Sequence, residues 1–208
     1  FERTWELGGG GATNPGPVPG FIQNPCATAS IFWMNPFCED FDLSKKGARW
    51  IFPDCAFGTA FDDGKAFVPY CTTAFDHDTY ELTVKSDAVE RMDKSFKKLA
   101  RISERDAESY HWIWEAFERK WMMASLQVLL NPPWPINEPD PIEGCYDDPD
   151  YPLDPRWGIM PFGEVLEELF ESPHVRGHVH RFQQSASGTF ADECDGSFLT
   201  IFVNIGED

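Results

Sequence analysis

The sequence is short of positive charge and of long apolar runs. Among 208 residues, 17 are Lys or Arg and 35 are Asp or Glu, so the formal net charge is -18. Such a surface repels phosphate groups, and nucleic acid is therefore not expected as a partner. No uninterrupted apolar run approaches the roughly 20 residues that cross a bilayer, so no transmembrane segment is expected. The composition favours the cytoplasm, with a peripheral position on a membrane left open.

The sequence also lacks the common motifs for metal binding and nucleophilic catalysis. It contains no CxxC pair, no HExxH and no G-x-S-x-G, so neither a zinc site nor a hydrolase is indicated. His174 and His178 are one helical turn apart and His180 follows, a spacing that could hold a metal, but exposed positions on an ordinary amphipathic helix are the favoured interpretation. His77 and His111 are expected to be solvated. Reduced, buried thiols are expected for the cysteines, which are Cys26, Cys38, Cys55, Cys71, Cys145 and Cys194.

Apolar residues are plentiful enough for a substantial core, at 42% hydrophobic and 15% aromatic content. Residues 1–25 are rich in Gly and Pro, which excludes a regular helix there. From residue 41 to 84, short apolar stretches such as Arg49–Phe52 alternate with turn residues and predict strands. Asp63-Gly64 between two such stretches is a hairpin signal. A small, mainly antiparallel sheet is expected.

Helical periodicity begins near Ser86, with Val89, Met92, Phe96 and Leu99 on one face. Ser103 is placed to cap a second helix, and Asp106 adds a carboxylate to its positive first turn. That helix should be long. Its apolar stripe, which ends before Pro132-Pro133, is made of Ala107, Tyr110, Trp114, Phe117, Trp121, Ala124 and Val128.

The rest of the chain begins with an extended segment, residues 131–161, that contains nine prolines and is expected to lie outside the core. Helices are predicted at 162–171 and from a cap at Ser172, with Gly188 ending the second. The final apolar stretch, 197–205, fits either a strand or a helix.

A glycine-rich turn near the start carries the most specific chemistry. Glu2-Arg3 is followed by Gly8, Gly9, Gly10 and Gly11 and then Thr13. A carboxylate after a strand suits a ribose, and glycines allow backbone to approach a pyrophosphate closely. Spacing alone also fits a purely structural turn.

The pattern ER-x4-GG-x3-T followed by PGF resembles the phytoene dehydrogenases and related FAD-dependent amine-oxidase-like enzymes. The similarity continues in WIFPDCAFGTAFDDGKAFVPY, ARISERDAESYHWIWEAFERKW and PFGEVLEELFESPHVRGHVHRF. The resemblance implies an α/β fold, α+β in this part, with a remnant of a Rossmann-like FAD-binding domain at 1–40. It also implies a small antiparallel sheet and a helical substrate or cap region at 41–208.

By position, the resemblance assigns Glu2, with Arg3 beside it, to the adenosine ribose of FAD. Gly8, Gly9 and Gly10 are assigned to the pyrophosphate, with Thr13 beyond them. The family's G-x-G-x-x-G segment does not occur in the sequence. We therefore expect an internal fragment or a split subunit whose partner completes the flavin site.

Two functions are weighed. The first is an FAD-dependent oxidoreductase, of desaturase or dehydrogenase type, acting on an apolar or alicyclic substrate. The second is a non-catalytic binding or assembly subunit that keeps the fold without flavin.

Overall fold

The computed structural model divides the chain into two compact units. The residues that the structure describes are 3, 7–24, 36–55, 57–187 and 190–193. The first unit consists of Phe1–Trp50 with His77–Tyr80, and the second of Ile51–Asp76 with Glu81–Asp208. The predicted division between residues 40 and 41 stays a prediction.

The first unit contains little regular structure in its described part. Strands β1 (Asn14–Pro15) and β2 (Ile22–Gln23) pair antiparallel, and helix α1 covers Phe37–Asp40. The Trp50 amide donates to His77 Nε2 at 2.9 Å, and the two rings stack at 5.9 Å. His77 therefore has a structural role in contact with Trp50. It was predicted to be a solvated loop residue.

The second unit begins with two β-hairpins. Strands β3 (Thr59–Ala60) and β4 (Ala66–Phe67) pair antiparallel, as do β5 (Thr73–Asp76) and β6 (Glu81–Val84). The hairpin predicted from Asp63-Gly64 is confirmed, and Gly64 takes a φ of +84° that favours glycine.

The prediction of a single small sheet is wrong for the described residues. Three separate two-stranded sheets occur there, with no Rossmann-like sheet, and Arg49–Phe52 forms no strand. Short strands bounded by turns pair only with their hairpin neighbours, which explains the separation. The mixed α and β class is confirmed.

Helix α2 (Ala88–Ala100) begins after Asp87, close to the predicted start. Its buried positions are Met92, Ser95 and Leu99, spaced three and four apart. The stripe extends back to Ala88, so Val89 lies off it and is 78% exposed. The apolar face was therefore predicted wrongly at its first residue.

The next helix is long, as predicted, but it contains a π segment. Helix α3 covers Glu104–Ala116, the π segment Phe117–Trp121, and α4 Met122–Leu130. The Ser103 cap is confirmed, because its Oγ accepts from the Asp106 amide at 3.1 Å. The wider π turn changes the helical phase, and both Ile113 and Trp121 are buried.

The proline-rich segment 131–161 was expected outside the core, and this is wrong for several residues between 142 and 157. Cys145, Leu153 and Trp157 are all buried in the core of the second unit, whereas Trp134 is 41% exposed. In this segment side-chain carboxylates accept hydrogen bonds from backbone amides that no helix or strand pairs. Asp148 Oδ1, for example, accepts from the Tyr151 amide at 2.7 Å. Single apolar residues between such turns reach the core without any periodicity.

Two helices complete the described part, α5 (Phe162–Leu169) and α6 (Pro173–Ser187). Ser172 Oγ accepts from the His174 amide at 3.3 Å, as expected of a cap. Gly188 and the segment 197–205 lie outside the described residues. No helix in the described ranges is long and apolar enough to cross a membrane.

The π segment provides a direct test of this packing. Lys120 Nζ contacts Asp148 Oδ2, and this hydrogen bond is the main cause that holds the pKa of Asp148 below its ordinary 3.8. In Lys120→Met we expect the pKa of Asp148 to rise toward 3.8, measured by NMR titration of carboxyl carbons. Lys94→Met, which removes the Glu90 ion pair, should leave the pKa of Asp148 unchanged.

The sign of the pH dependence follows. A carboxylate whose pKa is lowered by folding stabilises the folded state at pH values above its pKa in the unfolded chain. This contribution disappears as the pH falls through its pKa in the folded protein. Lys120→Met should therefore reduce the loss of stability below pH 3.8. An unchanged pKa of Asp148 in the variant would contradict the contact.

Candidate functional site

The glycine-rich turn has a backbone that other residues adopt rarely. Gly8 has φ +117° and Gly9 φ +53°, and Gly9–Gly11 forms one 3₁₀ turn. The Gly11 amide donates to Gly8 O at 2.8 Å and the Ala12 amide to Gly9 O at 3.1 Å. A Cβ at Gly8 would lie 3.3 Å from the Ala12 backbone, whereas one at Gly9 would meet open space. The turn requires glycine and faces outward.

The residues assigned to FAD are only partly described. Glu2 lies outside the described residues, and Arg3 and Thr13 are exposed. Gly8 and Gly9 are also exposed, and Gly10 lies within the 3₁₀ turn. In the described part, Gly8, Gly9 and Gly10 belong to one turn, and Arg3 and Thr13 lie outside it.

Large apolar side chains on both sides of this turn in the sequence are exposed in the first unit. Leu7 is 78% exposed, Phe21 68% and Ile22 75%. Such large side chains in one short stretch are typical of a surface that another element or chain covers.

The histidines of α6 have a different role from the one predicted. His178 is buried, and its Nδ1 lies 2.8 Å from Thr59 Oγ1. His174 Nε2 lies 2.9 Å from Asp63 Oδ2. Together with Arg181, which donates to Gly58 O at 3.4 Å, they hold the β3–β4 hairpin against α6.

These contacts correct the prediction of exposed histidines. The spacing of the histidines gave no indication that a distant hairpin would form hydrogen bonds with them. Within the described residues, no group of three His, Cys, Asp or Glu side chains could hold a metal ion.

A groove between α2 and α3 was not predicted. This α2–α3 groove has a volume of about 480 Å³ and is lined by Phe96, Lys97, Ala100, Glu104, Ala107, Glu108 and His111. The small side chains of Ala100 and Ala107 leave the space, and Phe96 meets His111 edge to face with ring centroids 4.5 Å apart. The helical spacing of Glu104, Glu108 and His111 was a signal that could have indicated a shared face.

A smaller cavity of about 170 Å³ lies beside α5 and α6, next to Gly163, His180 and Ala191. Ala191 O accepts from the Gly163 amide at 2.7 Å. His180 Nε2 is buried without a hydrogen-bond partner among the described residues. The Arg176 guanidinium is already engaged, since it donates to Phe170 O at 3.0 Å.

Two of the described cysteine thiols are poorly suited to act as nucleophiles. Burial raises the pKa of the Cys145 and Cys38 thiols above their ordinary 9.0, which keeps them protonated. Cys55, Cys71 and Cys145 carry free thiols, whereas Cys26 and Cys194 lie outside the described residues.

Comparison with known proteins adds no relative. A scan against protein-family models and searches of curated proteins and of solved structures find no match to this chain.

Proposed function

We propose that this chain is part of an FAD-dependent oxidoreductase of desaturase or dehydrogenase type, acting on an apolar or alicyclic substrate. The observation that carries the proposal is the exposed turn in which Gly8 and Gly9 take left-handed φ values of +117° and +53°. Two adjacent residues without a Cβ let a backbone approach a diphosphate closely. The sequence around the turn supports the same function, through its resemblance to the phytoene dehydrogenases.

The assigned residues would bind one part of FAD. Gly8, Gly9 and Gly10 would hold the pyrophosphate, with Thr13 beyond them, while Glu2, with Arg3 beside it, would bind the ribose. When bound, FAD supplies the acceptor for a hydride. The described part of this turn is exposed, and no catalytic acid or base is assigned.

The remainder of the flavin site would come from another chain or segment that carries the G-x-G-x-x-G motif. The exposed Leu7, Phe21 and Ile22 support such a partner, because burying them would stabilise the assembly. The second unit would act as the substrate cap that the resemblance implies, with the role of orienting the substrate and excluding water.

The flavin content of natively isolated protein tests the proposal. With any chains that remain attached, the protein should show flavin absorption in the visible range, and the released chromophore should have the mass of FAD. Intact, folded protein that stays free of flavin even after FAD is added would overturn the proposal.

Two glycine variants locate the flavin contact. In Gly9→Ala, a methyl group enters open space beside the turn, and we expect FAD content to fall by at least about fivefold from a loss of roughly 1 kcal/mol. Gly20→Ala is the matched control, because Gly20 also has positive φ, +87°, and open space around it. Equal FAD content in the two variants would contradict a role for Gly9.

The alternative is a non-catalytic subunit that binds a partner without flavin. The exposed apolar residues near the turn favour it as much as they favour a split enzyme. Co-purification separates the two functions. A second chain with G-x-G-x-x-G and bound FAD indicates the enzyme, and a flavin-free complex with a different chain indicates the assembly subunit.

A further inference from the structure

We propose that the α2–α3 groove binds a small organic cation whose apolar body is aromatic or of similar size. The groove belongs to the second unit, and the proposal is independent of the flavin. The groove has a volume of about 480 Å³ and is open to solvent, so it would cover one face of a small ligand and leave the other face exposed.

The floor of the groove is suited to an apolar body. Ala107 is 7% exposed, and Ala100 is half-buried beside it. The half-buried Phe96 ring forms one wall, packed edge to face against His111 at 4.5 Å. The Trp114 ring lies behind them, with its centroid 6.3 Å from those of both Phe96 and His111. Aromatic faces also attract cations directly.

The rim of the groove supplies negative charge. Glu104 and Glu108 are four residues apart on α3 and are both exposed, so their carboxylates share one face of the helix. Neither carboxylate has an ion-pair partner in the part of the chain that the structure describes. Glu104 in the first turn is also stabilised by the helix dipole, but Glu108 lies beyond the first turn, where this effect has declined.

The charged groups that line or adjoin the groove decide the sign. Lys97 lies at the rim and opposes a cation. The Glu115 carboxylate already has partners, because it lies 3.8 Å from His111 Nδ1 and 3.8 Å from the Arg119 guanidinium. The two unpaired carboxylates therefore outnumber the one lysine at the groove, which favours a cationic ligand over an anionic one.

Three probes of one shape test the charge preference by isothermal titration calorimetry at neutral pH on the full chain. They are phenethylammonium, the neutral 2-phenylethanol and the anionic 3-phenylpropionate. We expect the cation to bind most tightly and the anion most weakly. Added salt should weaken the binding of the cation, strengthen that of the anion and leave that of the alcohol unchanged. Equal affinity for the cation and the alcohol, or no binding of any probe, would overturn the proposal.

Variants locate the site. In Glu104→Gln/Glu108→Gln the preference for the cation over the alcohol should fall by about fivefold. Lys97→Met should change it in the opposite direction, by about twofold. Ala100→Leu should abolish binding of all probes by filling the groove. Glu81→Gln on β6, outside the groove, is the matched carboxylate control.

Opposite effects of the Glu and Lys variants cannot arise from misfolding, and circular dichroism would verify that each variant keeps its helices. If cation binding persists unchanged in both the double Glu variant and Ala100→Leu, the cation binds elsewhere and the proposal is wrong.

Discussion

Replacing Trp121 with alanine is expected to lower the free energy of unfolding by about 3–5 kcal/mol. Trp121 is 1% exposed at the end of the π segment. Its Nε1 donates to Tyr151 O at 3.3 Å, and its ring meets that of Trp112 edge to face at 5.4 Å. The substitution removes a large buried ring, and it also leaves a carbonyl of the proline-rich segment without its donor.

Urea denaturation followed by far-ultraviolet circular dichroism measures this change. Trp134→Ala removes the same side chain from a position that is 41% exposed, and it should change the free energy of unfolding by no more than about 0.5 kcal/mol. Similar effects of the two substitutions would show that Trp121 is not a core residue.

Replacing Asp106 with alanine is expected to lower the free energy of unfolding by about 2–4 kcal/mol. Asp106 is fully buried, and its two carboxylate oxygens accept from the amides of Glu171 and Ser172, each at 2.8 Å. Both amides lie where the chain passes from α5 to α6. In the alanine variant they lose their charged acceptor, and the start of α6 loses its attachment to α3.

Asp106→Asn sharpens this test. The asparagine keeps the size of the side chain but replaces one acceptor oxygen with a donor NH₂ group. The asparagine oxygen can accept from one of the two backbone amides, but its NH₂ group faces the other amide, which is also a donor. The free energy of unfolding of Asp106→Asn should therefore lie between those of the alanine variant and the unmodified protein. Asp93→Ala, at an exposed position on α2, is the control and should be nearly neutral. A nearly neutral Asp106→Ala would refute the role of this carboxylate.

Local patterns were sufficient to predict two helices and one hairpin of the second unit. The periodicity after Ser86, the cap at Ser103 and the Asp63-Gly64 turn each depend on neighbours within a few residues, and each is confirmed. Local rules also gave Asp106 its place in the first turn of α3. They could not show that the same carboxylate binds amides 65 and 66 residues away.

Features that depend on distant partners were missed or misjudged. His178 was expected at the surface because its helical neighbours are ordinary, yet it is buried against Thr59. Leu153 was expected outside the core because no period surrounds it, yet it is 1% exposed. In both cases the determining contact is tertiary, and sequence spacing carries no information about it.

The candidate sites divide in the same way. Composition predicted a tight turn at these glycines, and their left-handed backbone agrees with a turn; the flavin contact stays a prediction. The α2–α3 groove depends on which faces of two helices meet and on the gap between Ala100 and Ala107. Alanines in a helix ordinarily predict close packing, so the gap could not be anticipated.

The attachment of the β3–β4 hairpin to α6 has a consequence for synthesis on the ribosome. Its contacts join residues 111, 119 and 123 positions apart, from His174 to Asp63, His178 to Thr59 and Arg181 to Gly58. The hairpin leaves the ribosome long before its partners exist, and two-residue strands are marginal alone. We therefore expect co-translational folding to leave this hairpin open until α6 emerges, so that its closure is among the last steps in the second unit.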